Sequence, residues 1–261
     1  MKLGIAQTRA CQTAEDSLYK AKGMLKQAAS QQIDLLVFPE MFMAAPDRQE
    51  DILQIAEPME GNFVHELCLL AREASLSLGA GVWEKVPGQE RVYNSYVLIN
   101  AQGSIQAVYR KLHLFDALNV QESRLMIPGS ELPAVLQVQD FALASVICYD
   151  LRFPELFRSL ALQGAQLILV PAAWYSGPLK EEHWQALLQA RAIENTVFIA
   201  GAGLMGASFC GRSCVVDPYG VLCLQAGEEE QLLSTTLSLQ RLGQVRQKLP
   251  TLQHVRSDVL K

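Results

Sequence analysis

Short apolar runs alternate along this chain with stretches of helical period, and that alternation predicts most of its elements. Residues Leu3–Gln7 read as a first strand, and from Ala14 to about Gln32 the residues Leu18, Leu25 and Ala28 recur at helical spacing. Asp34–Phe38 is a buried strand that Pro39 brings to an end. Asn62–Ser77 reads as a helix and Leu78–Trp83 as the strand after it. Ser95–Ile99 and Ser104–Tyr109 flank Asn100-Ala101-Gln102-Gly103 as a hairpin. A second hairpin joins Val215-Val216 to Val221-Leu222 through Asp217-Pro218-Tyr219-Gly220, with Asp, Pro and Gly where a type I turn favours them. Counting outward from a turn that pairs Asp217 with Gly220 sets Cys214 opposite Cys223, as adjacent reduced thiols.

Between the hairpins the pattern predicts strands at Phe141–Cys148, Leu167–Val170 and Val197–Gly201. It also predicts helices at Pro154–Gln163 and about Lys180–Asn195, the latter with Trp184, Leu187, Leu188 and Ile193 on one side. Hairpins mixed with strand–helix units point to stacked sheets covered by helices, not to a purely parallel sheet.

Composition narrows the classes. Half of the 261 residues are hydrophobic and 19% are charged, which argues for a large core and against disorder. One domain over residues 1–261 is expected at this size. With 22 basic and 27 acidic side chains the net charge is −5, and no nucleic-acid partner is expected from an acidic chain. The longest greasy stretch, Leu167–Tyr175, contains Pro171 and falls far short of the roughly 18 residues of a membrane helix. Met1–Arg9 turns polar too soon for an export signal, so the six cysteines are expected to be reduced and the compartment cytoplasmic. Cys210 and Cys214 are separated by three residues, not two, and the four histidines show no paired ligand spacing. Neither a metal site nor a CxxC redox pair is expected.

Three residues share one sequence geometry. Glu40 follows Leu35–Phe38 directly, Lys111 ends Ala107–Arg110, and Cys148 closes Leu143–Ile147 just before Pro154 opens a helix. Polar groups leaving the ends of buried strands can converge at one rim. A thiol on a strand-to-helix turn resembles a nucleophile elbow, and a helix start and a nearby cation would favour its thiolate. Taken by position alone, Cys148 reads sooner as a small buried hydrophobe, Glu40 as an exposed carboxylate or a helix N-terminal residue, and Lys111 as a solvated charge at a strand end. His113 suggests a Cys–His pair, against the plainer reading of a packed or surface histidine.

Several segments in order are similar to the nitrilase, or carbon–nitrogen hydrolase, superfamily. They are Phe38-Pro39-Glu40-Met41-Phe42, Tyr109–Asp116 and Cys148–Leu156, followed by Gly177-Pro178, His183-Trp184, Ala190–Glu194 and Asp217–Gly220. The resemblance implies an α/β fold, a four-layer α-β-β-α sandwich, paired into a homodimer or larger assembly. It places the Glu–Lys–Cys catalytic set on Glu40, Lys111 and Cys148, and a second glutamate on Glu122. It implies hydrolysis of a small amide through a thioester, with Tyr149 supplying a backbone N–H to the oxyanion and with no cofactor.

Within that superfamily, Lys111–Asp116, Gln121-Glu122-Ser123, and the late Arg246, Leu249-Pro250, His254 and Arg256 look most like the deaminated glutathione amidases. Those release 2-oxoglutarate and cysteinylglycine; the related omega-amidases deamidate 2-oxoglutaramate. Either substrate needs a cationic or amide-rich clamp, for which Arg124, Arg152, Lys180 and Arg191 are candidates. Arg152 and Arg191 read equally well as structural. Trp174 and Tyr175 follow a strand where a pocket should open, and read equally as packing. Two other classes stay open: a catalytically silent nitrilase-fold binding protein, and a thiol redox protein oxidised at Cys148 but lacking an evident resolving cysteine.

Overall fold

The computed structural model describes residues 1–256 and 258. The chain runs through β1 (Lys2–Gln7), α1 (Ala14–Ser30), β2 (Leu35–Val37), α2 (Ile52–Ile55), α3 (Asn62–Ala74) and β3 (Ser77–Lys85). β4 (Val92–Ile99) and β5 (Ile105–Arg110) follow, then a small hairpin of β6 (Asp116–Ala117) and β7 (Val120–Gln121). Next come β8 (Leu136–Val138), β9 (Phe141–Ser145), α4 (Pro154–Leu162), β10 (Leu167–Ala172), α5 (Lys180–Asn195) and β11 (Phe198–Gly203). β12 (Cys214–Val216), β13 (Leu222–Gln225), β14 (Gln231–Thr236) and α6 (Leu239–Lys248) complete the sequence.

Two six-stranded sheets result, ordered β14-β1-β2-β3-β4-β5 and β13-β12-β11-β10-β9-β8. Each has a parallel centre, β1–β2–β3 or β9–β10–β11, flanked by antiparallel strands. Strand alternation explains the layering. In β2, Leu35 and Val37 join the core shared with Phe141, Leu143 and Leu167 of the other sheet. Leu36 and the adjacent Phe38 turn the opposite way, onto Leu25, Phe63 and Leu67 of α1 and α3. Phe157, Leu160, Trp184 and Leu188 of α4 and α5 cover the second sheet. This is the α-β-β-α sandwich, and burial on both faces is why the parallel strands read as continuous apolar runs.

Local chemistry sets the element ends. The Thr13 hydroxyl accepts the Asp16 N–H at 3.2 Å and caps α1, and Pro154 occupies the first turn of α4. α3 stops at Ala74, short of the expected Ser77, because Ser75 turns left-handed and Ser77 is already paired with Leu35. β9 ends at Ser145, so Cys148 does not close the strand but opens the turn beyond it. On α5 the buried stripe is Trp184, Leu188, Arg191 and Asn195; Ile193 lies off it and is exposed, contrary to the expected apolar side. Strands β8 and β14 and helix α6 are not among the elements the apolar pattern predicts.

The second hairpin also corrects its expected register. The Asp217 N–H donates to Val221 O, which moves the pairing to Val216 with Leu222. A bulge then leaves Cys223 unpaired and exposed, and Cys214, which is buried, faces Gln225. Among the described residues no helix is long and apolar enough to cross a membrane.

Candidate active site

The side chains singled out in the sequence leave the carboxyl ends of strands that run in register within each sheet, where α/β folds open their crevices. Glu40 lies three residues past β2 on a tight turn in which Met41 is left-handed (φ 58°). Gly81 of β3 passes so close to this turn that an added Cβ would meet Met41 N and Pro39 O at 2.7 Å and Glu40 Cα at 2.8 Å. Glu40 Oε1 accepts from Asn94 Nδ2 at 2.7 Å and Lys111 Nζ at 2.9 Å, while Oε2 accepts the Ala173 N–H at 2.6 Å. Ala173 follows β10, so one carboxylate is held from both sheets.

Lys111 stands just past β5, its side chain fully buried, and donates also to Glu122 Oε1 at 2.9 Å. Glu122 opens a short 3-10 turn, and its Oε2 accepts the Phe115 N–H at 2.8 Å. Burial by itself would push the Lys111 ammonium down, but the Glu122 and Glu40 carboxylates outweigh it and hold it well above the usual lysine range. Burial raises the Glu122 carboxyl; Lys111 opposes the rise and Glu40 adds to it.

Cys148 is buried with φ 48°, a left-handed conformation that costs a side-chain-bearing residue energy and marks a built elbow. Its turn, Cys148–Arg152, is pinned at both ends. Asp150 Oδ2 accepts the Ile147 N–H at 3.0 Å and the Tyr109 hydroxyl at 2.7 Å. At the other end Arg191 Nε and Nη2 donate to Leu151 O at 3.0 and 2.9 Å. The expected tilt toward thiolate is reversed. Burial, and then the negative Glu40, push the Cys148 thiol well up, and Lys111 only partly offsets them.

Glu40, Glu122, Cys148, Tyr149, Arg152, Trp174 and Tyr175 all line one cavity, joined by Phe115 and Lys180; Lys111 lies buried behind the two glutamates. Arg152 stacks over the Trp174 ring, with its Cζ 4.9 Å from the ring centroid. Arg124 is not brought there. It is exposed and paired with Glu50 at 3.5 Å, because the 3-10 turn that aims Glu122 inward points Arg124 out. Arg191 serves the elbow instead of the cavity. His113 is not paired with Cys148: its Nδ1 lies 2.7 Å from Asp150 Oδ1 and its ring stacks on Phe153 with centroids 3.5 Å apart. Asn94, Asp150 and Tyr109 were missed in the sequence; an Asn-Ser pair inside the largely apolar β4, both buried, is the one legible signal among them. Among the described residues no group of three or more His, Cys, Asp or Glu side chains is placed to hold a metal ion.

The sequence matches the Carbon-nitrogen hydrolase family over residues 2–247. It is 39% identical over 238 residues to the deaminated glutathione amidase of Escherichia coli O157:H7, covering 89% of this chain and 88% of that one. It superposes on the C. elegans NitFhit protein with a TM-score of 0.93 at 28% identity, covering 99% of this chain but 65% of that longer one. A glutamate-to-glutamine variant of the amidase from Nesterenkonia sp. AN1 superposes with a TM-score of 0.86 at 27% identity, covering 99% and 95%. That structure shows covalent addition of the acetamide moiety of fluoroacetamide at its active-site cysteine.

Proposed function

Because this chain belongs to the carbon–nitrogen hydrolase family, we propose that it is a cysteine-dependent amidase that cleaves deaminated glutathione to 2-oxoglutarate and cysteinylglycine. The observation that carries the reading is the meeting of Glu40, Glu122 and Cys148 at one cavity, with Lys111 behind them donating to both glutamates. The Escherichia coli relative's name supports the substrate, and the covalent adduct in the Nesterenkonia amidase supports Cys148 as nucleophile.

Burial and the neighbouring Glu40 favour the thiol form of Cys148, so its proton leaves as the sulfur attacks. Glu40, whose carboxylate acts on that thiol directly, takes the proton while Sγ bonds to the amide carbon. Lys111 and the Tyr149 N–H stabilise the oxyanion. The C–N bond then breaks, and Glu40 passes the proton to the departing amine nitrogen. Glu40 next removes a proton from water, whose oxygen attacks the thioester carbon; the acid leaves and the proton returns to sulfur. Glu122 keeps Lys111 charged and aimed, and Arg152, with Trp174 and Tyr175, receives the carboxylate-bearing part of the substrate. The reading carries with it a single domain over residues 1–261, a cytoplasmic location and a homodimer or larger assembly, the last tested by light scattering.

The test is release of 2-oxoglutarate from deaminated glutathione, beside 2-oxoglutaramate and butyramide, by the wild-type protein and Cys148→Ala. Wild type is expected to prefer deaminated glutathione, and Cys148→Ala to be folded and inactive. A preference for 2-oxoglutaramate would make it an omega-amidase, and hydrolysis of none of the three would leave a binding protein of this fold.

A further inference from the structure

Lys180 stands in the cavity at three disadvantages. It is only 8% exposed. It opens α5, where the positive end of the helix disfavours a cation. It also shares the Trp174 ring with a second cation, its Nζ lying 4.7 Å from the centroid and the Arg152 Cζ 4.9 Å. Burial, and then Arg152, hold the ammonium below the usual lysine range. Among the described residues no carboxylate comes within ion-pair distance of either group, and Glu181 and Glu182 next along the chain do not fold back onto it.

Packing does not account for this charge. The indole of Trp174 donates to Lys180 O at 2.8 Å, which secures the backbone with no need of an ammonium. The faces of Trp174 and Phe115 offer a cation some attraction, the latter ring lying 5.4 Å from Nζ. Two like charges on one ring nonetheless repel, and an apolar side chain would fill the same space without that cost. An arriving carboxylate would offset both charges, since Lys180 and Arg152 line the same cavity and a carboxylate has an oxygen for each.

We propose that Lys180 is a specificity-determining residue, forming with Arg152 a two-cation subsite for a carboxylate carried by the amide. This rests on the amidase reading and deepens it: the substrate class is anionic amides, and Lys180 contributes nothing to an uncharged one. The carboxylate can sit on the acyl side or on the departing amine, and the choice of substrates separates the two.

The test compares Lys180→Met, which keeps an extended side chain without the charge, and Lys180→Arg, which restores the charge. Four amides are assayed: deaminated glutathione with a carboxylate on both sides, 2-oxoglutaramate on the acyl side only, N-butanoylglycine on the amine side only, and butyramide with none. In Lys180→Met the KM for the anionic substrate should rise roughly tenfold or more, the scale of one hydrogen bond to a charged group. Its preference over butyramide should fall by the same factor, with Lys180→Arg recovering most of it. The singly charged amide that suffers identifies the side. A loss shared equally by butyramide, or no change, overturns the proposal. A readout without turnover uses 2-oxoglutarate for the acyl side and, separately, alanylglycine for the amine side to protect Cys148 from iodoacetamide, Lys180→Met needing roughly tenfold more of one of them for equal protection. Should the wild type hydrolyse no amide, the amidase reading fails while this measurement still decides Lys180; equal protection in both proteins counts against it.

Discussion

The Tyr109 hydroxyl donates to Asp150 Oδ2 at 2.7 Å, and each partner lies two residues from a group of the candidate site, Tyr109 from Lys111 and Asp150 from Cys148. One belongs to the first sheet and the other to the elbow beyond the second, so this bond, together with the His113 contacts to Asp150 Oδ1, ties the segment carrying the ammonium to the turn carrying the sulfur. Burial, and then the Asp150 charge, push the Tyr109 hydroxyl up, which keeps it a donor. Tyr109→Phe should cost about 2 kcal/mol, since a buried carboxylate loses a donor. Activity should fall mainly in kcat, because the displaced atoms are those that react. Thermal unfolding and steady-state kinetics check both; an unchanged kcat would show that the spacing is set elsewhere.

Lys111 is the common donor to two buried carboxylates. Lys111→Met leaves the buried Glu40 and Glu122 carboxyls side by side and each one donor short. A loss of about 3–5 kcal/mol is expected, as for a broken buried ion pair. Adding Glu122→Gln removes one of the two carboxyls and should restore part of the stability with no return of activity. Denaturant unfolding of the single and double variants measures the difference.

The raised Cys148 thiol has a sign that can be checked by pH. Below its pKa the thiolate fraction grows about tenfold per pH unit, so a raised value keeps alkylation climbing through and beyond the ordinary thiol range. Iodoacetamide labelling of Cys148, followed by mass spectrometry, should therefore show no plateau near neutrality. A plateau there would mean a stable thiolate–lysine pair.

Gly81 tests the turn that carries Glu40. Gly81→Ala forces a Cβ against the backbone of Pro39–Met41, which cannot rotate away as a flexible side chain could. Overpacking of this kind costs about 1–3 kcal/mol. Displacement of Glu40 by about 1 Å would lower kcat on the order of a hundredfold. The expected variant is folded and nearly inactive, as circular dichroism and an amide assay would show.

Much of the architecture was legible because it follows from local rules. Pro39 ends β2 by ring geometry, Pro154 opens α4, and the apolar runs at Leu35–Val37 and Leu167–Val170 mark strands buried on both faces. Helix ends were less legible. Whether Ser75 or Ser77 stops α3 depends on where the next strand pairs, which the helix itself does not encode. Strand β14 was hidden for a similar reason: its partially buried face makes sense only once β1 lies beside it.

The order of residue types along the chain pointed by itself to stacked sheets covered by helices and to Glu40, Lys111 and Cys148 at strand ends, and the resemblance carried by its motifs added the four-layer sandwich and Glu122. Tertiary structure alone decided that Arg124 faces solvent while Lys180 faces the cavity, that burial pushes the Cys148 thiol up, and that a bulge parts Cys223 from Cys214. Secondary structure follows from neighbours a few residues away. Charge state and side-chain aim depend on burial and on groups far along the chain, such as Ala173 on Glu40, and these exist only after the sheets have packed.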